Sequence, residues 1–218
     1  MHAVGEVFEH HDFSKQDLAN ANFKRCKFYL CDFSRADLRE AKFDDCSFIE
    51  QGAIEGCDFE YADLRDASFK DCQLSMANFK GANAFGIELR KCDLKGANFA
   101  QVNFVNYISS KVYFCSAFIT GSNLSYANFE KQCLEKCELF ENKWRGANLL
   151  GASLIGSDLS RGEFSQETWG HFQMQNCDLT HCDLEGLDIH RVDLSGVKIC
   201  EWQQEQLLEP LGLIVMPN

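Results

Sequence analysis

Large apolar residues recur every five positions along nearly the whole chain, at Phe8, Phe13, Leu18, Phe23, Phe28, Phe33, Leu38, Phe43 and Phe48, and again in steps of five from Ile54 to Ile199. Of these 39 centres, 37 are Phe, Leu, Ile, Met or Trp, Ala84 and Ser109 being the exceptions. Two residues before the centre stands Ala, Cys, Ser or Gly at 25 of the 39 sites, as at Ala21, Cys26, Cys31 and Ala36. A helix repeats at about 3.6 residues and a strand at 2, so a sustained period of five fits neither. It fits a coil whose every side is one pentad. Four pentads close a turn of twenty residues, and the channel they wall has room for a large inward side chain only where the alternate inward site is small. The reading is an all-β solenoid of square section, with coils stacked about 4.8 Å apart. About nine and a half coils from Phe8 to Ile199 then give a rod of about 45 Å.

Two stretches break the beat. In IEQGAIEG, residues 49–56, the spacing from Phe48 to Phe59 is eleven where ten is due, so one residue bulges and Ile54 is taken as a centre. In VNYISSKVYFCS, residues 105–116, the phase is kept but Ser109 holds a centre and Tyr107 a small site, so this segment should leave the wall. Counted in twenties, Ile54 and Phe114 are three coils apart, which puts both loops on one flank, about 15 Å apart. Exposed aromatics on a loop of an otherwise strict solenoid point to binding. The candidates are Ile49, Glu50, Gln51, Ile54 and Glu55 in the first loop and Tyr107, Ile108, Ser109, Ser110, Lys111 and Tyr113 in the second.

Charge narrows the partner. With 33 acidic against 21 basic residues the formal net charge is −12, which disfavours nucleic acid and anionic membrane and favours a basic protein. Read every twenty residues from Asp17, the site before the centre gives Asp17, Asp37, Asp58, Asn78, Asn98, Phe118, Glu138, Asp158 and Asp178. Taken as one outward column, Asp17, Asp37, Asp58, Glu138, Asp158 and Asp178 make an acidic face with the sign of a duplex's phosphate row.

The twelve cysteines suggest neither disulfides nor metal. Cys26, Cys31, Cys46, Cys57, Cys72, Cys92, Cys137, Cys177 and Cys182 occupy the small inward site, where a thiol serves as a small hydrophobe. Cys177 and Cys182 bracket His181, but at the repeat's own spacing, and no CxxC occurs. The histidines sit in no recognisable catalytic motif and a filled interior leaves no substrate pocket, so neither an enzyme nor a cofactor is expected. No apolar run reaches the roughly 20 residues that span a bilayer, and MHAVGEVFEHHDF lacks the marks of a signal peptide. A cytoplasmic protein is expected.

At the C-terminus the beat stops at Ile199 and EWQQEQLLEPLGLIVMPN follows. Residues 1–199 form the solenoid domain; 200–218 form a short helix and tail, in which Trp202, Leu207, Leu208, Leu211 and Ile214 cover the last coil and join two chains as a symmetric homodimer.

The A(D/N)LXX-type pentads resemble the pentapeptide-repeat family over nearly the full length. That resemblance implies a right-handed quadrilateral β-helix. IEQGAIEGCDF, ADLRDASFKDCQLSMANF, YFCSAFITGSNLSYANFEKQCLEKCELFENKW and WQQEQLLEPLGLIVMPN further resemble the Qnr-type members, which protect type II topoisomerases from quinolones. The resemblance implies that the two breaks are projecting loops, that the C-terminal helix dimerises, and that the partners are DNA gyrase and topoisomerase IV, engaged by a protein that imitates DNA. An acidic β-helical scaffold for another basic partner is the alternative.

Overall fold

The computed structural model describes residues 1–109 and 112–216. The chain winds into the expected quadrilateral β-helix. Each pentad lays down one short side and then turns: Ala36 N–H donates to the Phe33 carbonyl at 3.0 Å, and the residue between, Arg35, has φ 58°. A turn with positive φ at its third residue is of type II. Between coils the centre's N–H donates to the carbonyl before the next centre up, as Phe13 does to Asp32 at 2.8 Å.

The four sides are named here for Phe13, Leu18, Phe23 and Phe28, in chain order. On the Phe23 side the bridges lengthen into a six-stranded parallel sheet, His2–Val4, Asn22–Lys24, Lys42–Asp44, Ser68–Lys70, Ile87–Arg90 and Ala117–Thr120. The core is a set of ring columns. Along the Phe13 side Phe13, Phe33, Phe59, Phe79, Phe99 and Phe129 stack face to face with centroids 4.4–5.0 Å apart. The inward cysteines do more than fill space. Their thiols donate to backbone carbonyls, Cys57 to Phe28 at 3.2 Å and Cys177 to Leu154 at 2.9 Å, and burial pushes the Cys177 thiol up to about 11.

The register corrects the size of both breaks. Asp32 pairs with Asp58 and Ser47 with Gln73, a step of 26 residues, so the first loop inserts six residues and not one. Ile54, five residues before Phe59, keeps the beat but stands 81% exposed outside the wall. Beyond the second break Ile87 pairs with Ala117 and Asn98 with Asn128, a step of 30, so ten residues are inserted and Ser109 and Phe114 leave the wall as expected. With three of the 39 centres outside it, the rod is shorter than simple counting gave.

The loops do not share a flank. The first leaves after Phe48, at the corner from the Phe28 side to the Phe13 side. The second leaves after Phe104, at the corner from the Leu18 side to the Phe23 side. These corners are diagonally opposite, ten sides apart, which is about 12 Å along the axis. Counting in twenties misplaced them because it took the inserted residues for wall.

At the far end, short helical turns Glu201–Gln203, Gln204–Leu208 and Glu209–Leu211 fold over the last coil. Gln203 is fully buried; its side chain donates to the carbonyls of Leu179 and Cys182 at 2.9 and 2.7 Å and accepts from Cys200 N–H at 2.6 Å. Gln206 accepts from Leu184 N–H at 3.1 Å. Two glutamine amides thus replace the hydrogen bonds that a further coil would supply.

Candidate binding surface

The second insertion is an antiparallel hairpin of Val105–Ser109 and Val112–Cys115, with Tyr107 opposite Tyr113 and an irregularity between Tyr107 and Ser109. A two-stranded ribbon alone is marginal in water, and this one is held by the wall. Ser116 N–H donates to the Phe104 carbonyl at 3.1 Å and closes its base. Phe114 packs edge-on against Phe85, centroids 5.2 Å apart. The Tyr113 hydroxyl donates to Glu135 at 3.2 Å, and Ser153 holds the other carboxylate oxygen of Glu135 at 2.6 Å. The negative charge of Glu135 pushes the Tyr113 phenol up to about 12. The hairpin therefore leans over the Leu18 side and presents Tyr107 and Ile108, 67% and 69% exposed, to solvent. Tyr107, Ile108, Ser109 and Tyr113 are brought together as the sequence suggested; Ser110 and Lys111 lie outside the described residues.

The first loop is built differently. Ser47 Oγ donates to the Ile49 carbonyl at 2.8 Å, Ala53 N–H donates to Glu50, and Cys57 N–H returns to Phe48 at 3.2 Å. Gly56 lets the returning chain press on the neighbouring coil, since a Cβ there would lie 2.7 Å from the backbone of Ser75 and Ala77. Glu50, Gln51, Ile54 and Glu55 are exposed and Ile49 is half-buried. On its opposite corner this loop cannot form one patch with the hairpin.

The acidic face is also rearranged. Asp17 and Asp37 lie on the Leu18 side in line with Asp63; Asp58 lies on the Phe13 side between Asp32 and Asn78; Glu138, Asp158 and Asp178 lie on the Phe23 side below Phe118. The single column inferred from the sequence is split over three sides, because each insertion shifts the count by an amount that is not a multiple of twenty. The three groups differ in charge. Arg39 and Arg65 cover the Leu18 side, each bridging an aspartate two residues before it (Asp37 and, at 2.6 Å, Asp63), and the Arg39 guanidinium holds the Asp37 carboxyl below its usual range. On the Phe23 side the carboxylates of Asp158 and Asp178 accept from the backbone of Ser160 and Thr180, and among the described residues neither has a cationic partner within 4.0 Å. This group starts at the hairpin's corner, so an aromatic ribbon and an open acidic side are neighbours. No sequence signal separated the covered acids from the open ones except Arg two places after Asp, at Asp37 and Asp63.

Of the tail residues assigned to dimerisation, Leu207 packs on the core and Leu208 is half-buried. Trp202, Leu211 and Ile214 are exposed, with Leu213 and Met216 beside them.

The molecule is a β-helix with a filled interior that displays a ribbon and open carboxylates on its outer surface. The chain belongs to the pentapeptide-repeat family: the family models described as "Pentapeptide repeat region" and "Pentapeptide repeats (8 copies)" match residues 21–99 and residues 133–166 and 169–199. Within that family it resembles the Qnr type. It is 48% identical to the pentapeptide repeat protein QnrB4 of Escherichia coli over 68% of this chain and 66% of that one. It is 63% identical to a pentapeptide repeat protein of Vibrio parahaemolyticus over 77% of each. The solved structure of full-length QnrB1, a plasmid-mediated fluoroquinolone resistance protein, superposes with a TM-score of 0.93 at 45% identity, covering 98% of this chain and 100% of that one. No helix among the described residues is long and apolar enough to cross a membrane.

Proposed function

We propose that this protein binds DNA gyrase and topoisomerase IV and protects them from quinolone antibiotics, acting as a cytoplasmic homodimer with no catalytic group of its own. The observation that carries the reading is the hairpin: the wall closes without it, yet the chain spends ten residues on holding Tyr107 and Ile108 away from the rod beside an open acidic side. Relatives named for quinolone resistance support the same reading. Proteins that handle duplex DNA carry basic surfaces, and carboxylates can dock there by complementary potential. DNA mimicry on this reading falls to the Phe23 side, next to the hairpin; the Leu18 side carries its own arginines, and Asp12, Asp32 and Asp58 lie on the side opposite. The apolar tail at the C-terminal end is the surface through which two copies join.

The deciding experiment is gyrase supercoiling inhibited by ciprofloxacin and titrated with this protein. Restored supercoiling at low protein concentration is the expected result. Failure to restore it, together with capture of a different basic protein, would favour a general acidic scaffold.

A further inference from the structure

Three cysteines stand outside the small inward site, and two of them meet. Cys133 occupies the outward position before Leu134, where its ladder neighbour is Ser153 and the earlier coils of the same side carry Asn83 and Asn103. Cys115 ends the second strand of the hairpin, opposite Val105. Their sulfurs are 3.4 Å apart, and both residues are half-buried, unlike the nine inward cysteines. The contact lies where the hairpin returns to the wall, two residues from Tyr113 on one strand and two from Glu135 on the other, so one pentad anchors the ribbon twice.

We propose that Cys115 and Cys133 form a reversible disulfide that fastens the base of the hairpin to the wall. Closing the sulfurs from contact to a bond length of about 2 Å asks for little movement. The two thiols share one hydrogen bond in which either sulfur can donate. Taking Cys115 as the sulfur that reacts first, its thiolate is the nucleophile, and with the order reversed the product is the same disulfide. With a hydroperoxide as oxidant, the Cys115 sulfur attacks the peroxide oxygen, the O–O bond breaks, and the departing hydroxide takes a proton to become water, leaving a sulfenic acid on Cys115. The Cys133 sulfur then attacks the Cys115 sulfur. The S–S bond forms, the S–O bond breaks, and the second hydroxide leaves as water with the Cys133 proton. Two thiols are oxidised and one hydrogen peroxide is reduced to two waters. Two equivalents of glutathione reverse the change by thiol–disulfide exchange.

The test uses the full chain. The protein is treated with hydrogen peroxide, alkylated with N-ethylmaleimide, digested and mapped by mass, with a reduced control. The expected result is a linked peptide pair containing Cys115 and Cys133, lost on adding dithiothreitol, and about tenfold slower amide exchange across Val112–Cys115 in the oxidised form. In a Cys133→Ser protein Cys115 should instead accumulate as a sulfenic acid captured by dimedone. Full alkylation of both cysteines after oxidation, or linkage of either to Cys200 or to a second chain, overturns the proposal. The wild-type map decides this whether or not the serine variant folds.

Discussion

Phe33 stacks on Phe59 with centroids 5.0 Å apart and ring planes 5° from parallel, although the coil between them is six residues too long. The core is therefore blind to the first loop. Deleting Gln51 to Gly56 joins Phe48 to Cys57 through Ile49 and Glu50, and leaves Glu50 at the corner site where Glu40 and Glu141 already hold positive φ. The deletion should fold with a melting temperature within a few degrees of the parent, since shortening a loop changes closure entropy by only about 0.6 kcal/mol per halving. Thermal unfolding followed by circular dichroism measures it. A collapse of the transition would show that the loop supports the wall.

Removing Val105 to Phe114 joins Phe104 to Ala117 through Cys115 and Ser116 and likewise restores a normal corner. The β-sheet signal should persist while protection of gyrase from ciprofloxacin is lost. A folded deletion protein that still protects at the parent's concentration would remove the hairpin from the mechanism.

The two groups of open carboxylates should behave differently. Glu138→Gln, Asp158→Asn and Asp178→Asn together keep the turn hydrogen bonds to Ser160 and Thr180 and discharge the side next to the hairpin. Gyrase affinity should fall about tenfold at low salt, with a shallower salt dependence, because exposed charges act within about 8 Å at physiological ionic strength. Asp12→Asn, Asp32→Asn and Asp58→Asn discharge the opposite side by the same amount and should leave both quantities nearly unchanged. Equal losses from the two triples would mean that net charge alone matters.

Gln203→Ala leaves the Cys182 carbonyl and the Cys200 N–H without their partner, while the Leu179 carbonyl keeps only the bond from Cys182 N–H. A cost of about 2–4 kcal/mol is expected, read as a lower urea midpoint and as faster amide exchange confined to the last coil, from Leu179 to Cys200. Unchanged exchange there would mean that water takes over the cap.

Leu213→Asp with Ile214→Asp should turn a dimer into a monomer in sedimentation at micromolar concentration, without affecting the cap that Gln203 makes. A parent protein that already sediments as a monomer would refute the dimer.

What the sequence disclosed follows from how each feature is encoded. Phe, Leu and small residues at fixed offsets state the wall directly, and the poor fit of Ser109 and Tyr107 to that wall marks the hairpin. Ile54 misleads because an exposed isoleucine in phase looks like a buried one; only the pairing of Asp32 with Asp58 shows that it lies outside. The column running from Asp17 to Asp178 failed for the same reason, since adjacency on a solenoid depends on the length of every insertion before it. Gln203 was illegible because a glutamine carries no mark of whether a coil lies above it. The meeting of Cys115 with Cys133 likewise needed the fold of the hairpin onto the wall.

The outward row on the Phe13 side has one more property. Each Asn in it, at 78, 98, 128 and 148, turns its Oδ1 to the N–H two residues ahead in its own corner. Its Nδ2 is left to reach back to the Oδ1 of the preceding coil, ending on the carboxylate of Asp58 at 3.0 Å. The row is thus a one-way chain of amides. An acid in place of Asn98 or Asn128 would keep the acceptor that the corner uses but give up the Nδ2 donor and break the chain there, whereas Asp58 stands where only an acceptor is needed. The run from Asn78 to Asn148 is thus kept neutral by the grammar of its own hydrogen bonds, with the paired acids Asp12, Asp32 and Asp58 on its N-terminal side, before any partner has a say.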